Sequence, residues 1–257
     1  MRANEHDLNS LRGMIRRLQE ENASLKKLLD DNGLIAVSSH VSVGEFEDEN
    51  NGGIEAVAEK YAKIGVNCIA IPYLPGEPKH AGGYDFPETL ISMKKIAEAL
   101  RKYNITLTYH NHENELAFLP NGVRILDVLY GSVPASILQT QFDLAWLTNA
   151  GADPIEYIRK YSGRLPQCHM KEVAYTGKVP AKVAKAVGLR VEGEDDPASE
   201  FVFKPLGEGV MPIKAILPEL EKAGCRQIIV EQDNPTPGRD IFDCVAESAA
   251  YLRSLMD

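Results

Sequence analysis

The sequence predicts an α/β fold of the TIM-type (β/α) barrel kind, with fewer than the usual eight strands and a long N-terminal helix. From residue 34 onward, short β-branched runs alternate with helical patterns, which is how a parallel sheet covered by helices is written in sequence. The strands are nearly continuous apolar runs, yet each of five of them ends in a polar residue: His40, His112, Asp143, His169 with Lys171, and Glu231 with Asp233. The C-terminal edge of a parallel sheet is where ligands bind. A doubly wound open sheet gathers only some of its strand ends, whereas a barrel gathers all of them around one mouth.

Taken in order, residues 7–31 read as one helix. Heptads counted from Leu8 put Leu8, Leu11, Ile15, Leu18, Asn22, Leu25 and Leu29 at a and d positions. This resembles a leucine zipper with a single polar a residue, a device that fixes register and favours a parallel pair. Gly13 weakens such a helix by about 1 kcal/mol, and a helix packed on the barrel wall explains the same stripe. No basic region precedes it, which disfavours DNA. On this basis residues 1–24 are an N-terminal helix and candidate coiled coil, and residues 25–257 are an incomplete barrel domain.

Strands are expected at 34–41, 67–74, 105–112, 137–143, 165–173 and 227–233, with helices at 52–64, 87–103, 122–131, 153–162, 211–223 and 238–255. Pro87 and Pro154 suit first helical turns, and Asp153 suits a helix N-cap. The helix ends KIG, KYN, KAG and DNG supply the Gly or Asn that tolerates a left-handed cap. The stretch 174–204 is long for a barrel loop; AKVAKAVGL reads as a short helix and EGEDDPASE as an acidic turn, so the segment is either a lid over the mouth or disordered.

Composition narrows the function. The 257 residues carry a net charge of −9, which argues against nucleic acid as a partner, because phosphate binding needs a surplus of Lys and Arg. No apolar stretch approaches the roughly 20 residues of a membrane span, and MRANEHDLNS lacks a signal-peptide core, so a cytoplasmic protein is expected. Cys68, Cys168, Cys225 and Cys244 lack metal-ligand spacing and read as reduced thiols. A small molecule is the ligand class left.

Chemistry concentrates in YHNHENEL, residues 109–116. Glu115, Asp143, His169 and Glu231 lie at or just beyond four separate strand ends and form a mixed oxygen and nitrogen set. Such a set suits Mn²⁺ or Mg²⁺, accepts Co²⁺ or Zn²⁺, and leaves positions open for substrate. Bland alternatives stand beside this. Asp143 also reads as the N-cap of the next helix, and Trp146 as packing on the rim or stacking on a ligand ring. His40 suits a substrate-contacting place better than a ligand position. Lys204 and the GEG turn offer backbone N–H groups to a phosphate.

With YHNHENEL stand FDLAW (142–146), HMKE (169–172), PLGEG (205–209) and VEQD (230–233), in that order. At these motifs the chain resembles the sugar phosphate isomerase/epimerase family of xylose-isomerase-like TIM barrels, over about residues 25–257. The resemblance implies a divalent metal held by Glu115, Asp143, His169 and Glu231, with His110 or His112 as the alternative at the place of Glu115. It implies a keto sugar or sugar phosphate as substrate, isomerised or epimerised through an enediolate. Glu115 and Glu231 would act as base and acid, and His112 and Lys171 would hold oxygens or shuttle protons. His40, His110, Trp146 and Glu208 would contact substrate.

Relatives of this kind include dehydratases and other lyases acting on keto sugars or cyclitols, so loss of a leaving group is the rival reaction. A non-catalytic, shortened barrel serving as an assembly module is the rival of another class. A phosphodiester-cleaving role is disfavoured, since it needs a three-zinc cluster richer in histidine. Two departures stand out: the usual HxKD ends in Glu172, and the family's first two strands are missing. The open edges at 34–41 and 227–233 then expose backbone groups that proteins cover or pair. A homodimer covering them is the expectation, which light scattering on the purified chain tests directly.

Overall fold

The computed structural model describes residues 23–74, 86–191 and 193–256. Most of the heptad stretch, from Leu8 to Asn22, lies outside the described residues, and with it the zipper. The chain packs as two compact units, divided within one strand at Leu107/Thr108.

The described part of the first unit opens on a helix, α1 (residues 23–31), in which Lys27 pairs with Asp31 at 2.5 Å. Gly33 (φ 66°) ends it in the left-handed conformation, and Leu34 N–H donates to Leu29 O at 2.9 Å. Strands β1 (Ser39–His40) and β2 (Cys68–Ile71) run parallel. Between them lie α2 (Val43–Glu47), capped by the Ser42 hydroxyl, and α3 (Gly53–Ile64), stopped at Gly65 (φ 89°). Helix α4 (Phe86–Arg101) follows β2. Val41, Phe46, Val57, Ile69, Ile71, Met93, Ile96 and Leu100 are buried. The strand expected over 34–41 is only two residues long, because its ladder with β2 covers only Ser39 and His40. Leu34 and Ile35, expected inside that strand, are 58% and 80% exposed.

The second unit carries most of the sheet. Strand β3 (Thr106–His110) begins at the last residues of the first unit, and β4 (Gln139–Asp143) and β5 (Gln167–Met170) follow. A hairpin comes next, β6 (Glu172–Tyr175) antiparallel to β7 (Phe201–Lys204), and the last strand is β8 (Gln227–Val230). β3, β4, β5 and β8 pair in that order, all parallel. Helices α5 (Ile125–Ser132), α6 (Leu144–Asn149), α7 (Pro154–Lys160), α8 (Ala181–Ala186), α9 (Ile213–Lys222) and α10 (Ile241–Met256) fill the connections.

Strand alternation decides which residues can meet. Side chains two apart share a sheet face, so Thr108 and His110, Gln141 and Asp143, and Gln167 and His169 lie on one face. Tyr109, Phe142, Cys168 and Met170 lie on the other and are buried. In register, Gln141, Gln167 and Gln227 stand side by side. Gln141 donates to Gln167 at 2.8 Å, and Gln167 donates in turn to Gln227. This polar ladder satisfies buried amides that would otherwise cost 1–3 kcal/mol each by mutational scales, to within about a factor of two. One step further along the same face lie Asp143 and His169, also paired in register.

All six expected parallel strands are present among the described residues, against the eight of a closed (β/α)8 barrel. The fold class is therefore an incomplete TIM-type barrel. The expected strand at 165–173 is two strands, because the chain turns at Lys171 from the parallel sheet into the hairpin. The loop 174–204 is built rather than empty: it holds β6, β7 and α8, whose Val183, Ala184 and Ala186 are buried. Asp195 accepts from Ala181 N–H at 2.7 Å, and Ser199 donates to Lys178 O at 2.8 Å. The four cysteines are free, three of them buried. No described helix is long and apolar enough to cross a membrane.

Candidate metal and active site

The alternation that points Gln141 and Gln167 inward carries Asp143 and His169 to the same face one step further along. Asp143 pairs in register with His169. His110, Asp143, His169 and Glu231 each offer one ligating atom, and these atoms lie within 4.8 Å of one another. All but Glu231 are buried. Two imidazoles and two carboxylates converging on one spot are a workable donor set for a divalent ion, so the residues present fit the metal that the sequence implied.

Asp143 has two duties. Its Oδ1 accepts from Ala145 and Trp146 N–H at 3.0 and 3.1 Å, capping α6. Its Oδ2 faces the cluster, 3.9 Å from His110 Nε2 and 2.9 Å from Lys171 Nζ. The cap and the face turned to the cluster therefore use different oxygens. Burial raises the Asp143 pKa, with Lys171 working against that shift. Asn111, invisible as a site residue in the sequence, fixes the strand end: its Oδ1 accepts from Asp143 N–H at 3.2 Å and its Nδ2 donates to Asp143 O at 3.3 Å.

Lys171 is 1% exposed and lies among three carboxylates. Its Nζ is 3.1 Å from Glu231 Oε2 and 3.0 Å from each oxygen of Asp233. Burial disfavours the ammonium, but Asp143 and Glu231 outweigh it and hold the pKa above the ordinary lysine value. Glu231 also accepts from His169 Nδ1 at 2.7 Å. Burial would raise the Glu231 pKa, but the His169 hydrogen bond and the Lys171 charge hold it well below the usual carboxylate range. One wall is aromatic: Trp146 stacks on Phe201 at 5.4 Å, Phe203 meets it edge-on, and Lys171 sits 5.4 Å over the indole. Asp233, Phe201 and Phe203 are absent from the expected site. Asp233 was legible as a strand-end acid, but the hairpin that delivers the phenylalanines gave no strand signal strong enough to read.

The remaining expected residues are each placed by their own partners. Glu115 is buried, but its Oε1 accepts from Tyr109 OH at 2.9 Å and its Oε2 from His112 N–H at 2.8 Å. Tyr109 lies on the sheet face opposite His110, and its hydroxyl holds one of the two Glu115 oxygens. His110 takes the place expected of Glu115 in the four-residue cluster, which was the stated alternative. His112 stays close, its ring 5.0 Å from that of His110 and 6.2 Å from Trp146. Glu208 is exposed and binds Arg239 at 2.9 Å, a contact that lowers its pKa. His40 ends β1 in the first unit.

The GEG turn is not an open phosphate cradle. Glu172, buried beside Lys171, places its carboxylate in the turn, accepting from Val173, Gly207 and Met211 N–H at 3.0, 3.1 and 2.9 Å, with the Gly209 amide on the same group. The departure from HxKD thus has a structural role, its carboxyl oxygens accepting the amides that would otherwise face an outside anion. Burial pushes the Glu172 pKa up to about 7 against these four donors, which favour the carboxylate. A raised carboxyl pKa means the folded state holds its proton longer than the unfolded one. The stability it contributes is full below the ordinary value of 4.5 and is lost as pH rises through about 7. Relative to Glu172→Gln, the wild type should lose about 3 kcal/mol across that window. Urea melts of both proteins at pH 4.5 and 7.5 check this, and a constant difference between them would refute it.

Comparison with known proteins agrees with the fold. The family described as xylose isomerase-like TIM barrel matches residues 5–255. No curated protein sequence matches. Among solved structures, a sugar phosphate isomerase/epimerase from Parabacteroides distasonis aligns at TM-score 0.70 and 22% identity, covering 91% of this chain and 75% of that one. A probable 3-DHS dehydratase from Bacillus anthracis aligns at 0.60 and 18%, covering 91% and 82%. A xylose isomerase-like TIM barrel protein from Mycobacterium smegmatis, in complex with magnesium, aligns at 0.61 and 15%, covering 89% and 75%. At these identities the likeness is one of fold. The family match runs over nearly the whole chain, and this chain belongs to the xylose isomerase-like TIM barrel family.

Proposed function

We propose that the chain is a divalent-metal-dependent enzyme that isomerises or epimerises a small keto sugar by moving a proton at the carbon next to the carbonyl. The observation that carries this is the convergence of His110, Asp143, His169 and Glu231 around a buried lysine at the strand ends. An ion held by these four would supply Lewis-acid stabilisation of negative charge on substrate oxygens. Two imidazoles in the set favour Mn²⁺, Co²⁺ or Zn²⁺ over Mg²⁺, which prefers oxygen alone.

The chain's own groups divide the remaining work. Lys171, held protonated, donates hydrogen bonds to an oxygen on which charge develops. Glu231, held ionised, would be the proton acceptor, and the hydrogen bond from His169 fixes its orientation. Trp146, Phe201 and Phe203 offer an apolar wall to the C–H face of a sugar. Because Glu172 fills the GEG turn, that turn holds no substrate phosphate, and unphosphorylated ketoses come first among candidates.

The deciding experiment incubates the Mn²⁺-loaded protein with ketopentoses, ketohexoses and their phosphates in D₂O. NMR should show deuterium entering beside the carbonyl, while mass spectrometry shows no leaving group lost. A product lighter by one water would instead establish the lyase reading, which the fold shared with the Bacillus anthracis protein favours. Failure to retain any divalent metal, with no exchange on any substrate, would leave the assembly-module reading.

A further inference from the structure

We propose that Lys171, beside any hydrogen bond it gives a substrate, is a built-in competitor of the divalent ion, whose ammonium holds the oxygens that a metal would take and so sets the affinity of the site. This rests on the metal reading above.

Asp143 has only one oxygen to give, because Oδ1 is committed to the α6 cap and Oδ2 already lies 2.9 Å from Lys171 Nζ. Glu231 Oε2 is shared in the same way, between His169 Nδ1 at 2.7 Å and Lys171 at 3.1 Å. Asp233 differs. It is outside the four-residue donor cluster, and both its oxygens are 3.0 Å from Lys171. Its place is that of a private counter-ion, able to keep the ammonium paired when Asp143 and Glu231 turn to a metal.

Charge supports the same arrangement. Asp143, Glu231 and Asp233 bring three negative charges and Lys171 returns one positive, so a divalent ion completes neutrality. An ammonium this close to a dication, in surroundings with little water, also opposes its binding. A buried lysine with no carboxylate partner would be costly, so the lysine and the carboxylates stabilise each other whether or not a metal is bound.

Two variants of the full-length chain pull in opposite directions. Lys171→Met removes the competitor and should tighten Mn²⁺ binding by about tenfold or more, read by calorimetry and by fluorescence of Trp146, the chain's single tryptophan. Its melting temperature in EDTA should fall, and Mn²⁺ should raise it by more than in the wild type. Asp233→Asn strips the lysine of its own partner, leaves it on Asp143 and Glu231, and should weaken Mn²⁺ binding. A purely structural lysine predicts weaker binding on its removal, so tightening is the distinguishing sign.

Mn²⁺ affinity unchanged or weakened in folded Lys171→Met, beside a wild type that binds, overturns this proposal and leaves the metal site standing. If Lys171→Met does not fold, Asp233→Asn decides, and unchanged or tighter binding there overturns the proposal. Absence of binding in wild type and Lys171→Met alike removes the metal reading and this one with it. Binding that appears only in Lys171→Met supports competition.

Discussion

Asp143→Asn should lower Mn²⁺ affinity and turnover together by at least about 100-fold, since changes outside the ligand shell alone commonly cost 10–100-fold. The expected cause is specific. Asparagine can still cap α6 through its side-chain carbonyl, so the local helix survives. What is lost is the charge at Oδ2, the atom facing His110 and Lys171. Lys171, 1% exposed, keeps Glu231 and Asp233, so the destabilisation should stay near 1–3 kcal/mol, the scale of a charged hydrogen bond, to within about a factor of two. Asp143→Ala adds the loss of the cap and should cost about 1 kcal/mol more. Calorimetric titration with Mn²⁺ and chemical melts separate the two effects. Full metal affinity in folded Asp143→Asn would remove Asp143 from the ligand set.

Gly209→Ala is the second large effect, and it falls on folding. A Cβ on Gly209 would lie inside van der Waals contact of Val173 O and of the Glu172 carboxylate. Neither neighbour can retreat easily. Val173 O accepts from Val210 N–H at 2.9 Å, and the Glu172 carboxylate is held by the turn's own amides. Relief requires moving the turn off β6, breaking those bonds and uncovering a buried carboxylate. A loss of about 3–5 kcal/mol follows, the range of the strongest single-site effects. Because β6 begins one residue after Lys171, metal affinity should fall as well. A urea midpoint within error of wild type would show that the turn is not anchored as described.

Much of this protein was legible in its sequence. The alternation of apolar strands with capped helices gave six parallel strands, because period and capping are local properties of the backbone. Strand ends flagged Asp143, His169, Lys171 and Glu231, because a polar residue closing an apolar strand has few other places to go. The hairpin β6–β7 was hidden, since half of FVFK's value as a strand comes from EVAY, its partner across the intervening loop.

The place of His110 rather than Glu115 in the cluster shows the limit most clearly. His110 and Glu115 are five residues apart in one motif, and composition treats them as equal candidates. Strand parity separates them: His110 lies on the inner face, while Tyr109, on the outer face, draws Glu115 away with a 2.9 Å hydrogen bond. Glu172 likewise reads as an altered motif residue until the turn at 207–211 closes over it. The sequence by itself determined which residue types reach the strand ends, since that follows from local periodicity. Only the tertiary structure decided which of them share one charge cluster, since a buried carboxylate is positioned by whichever donors the fold brings within 3 Å or so of it.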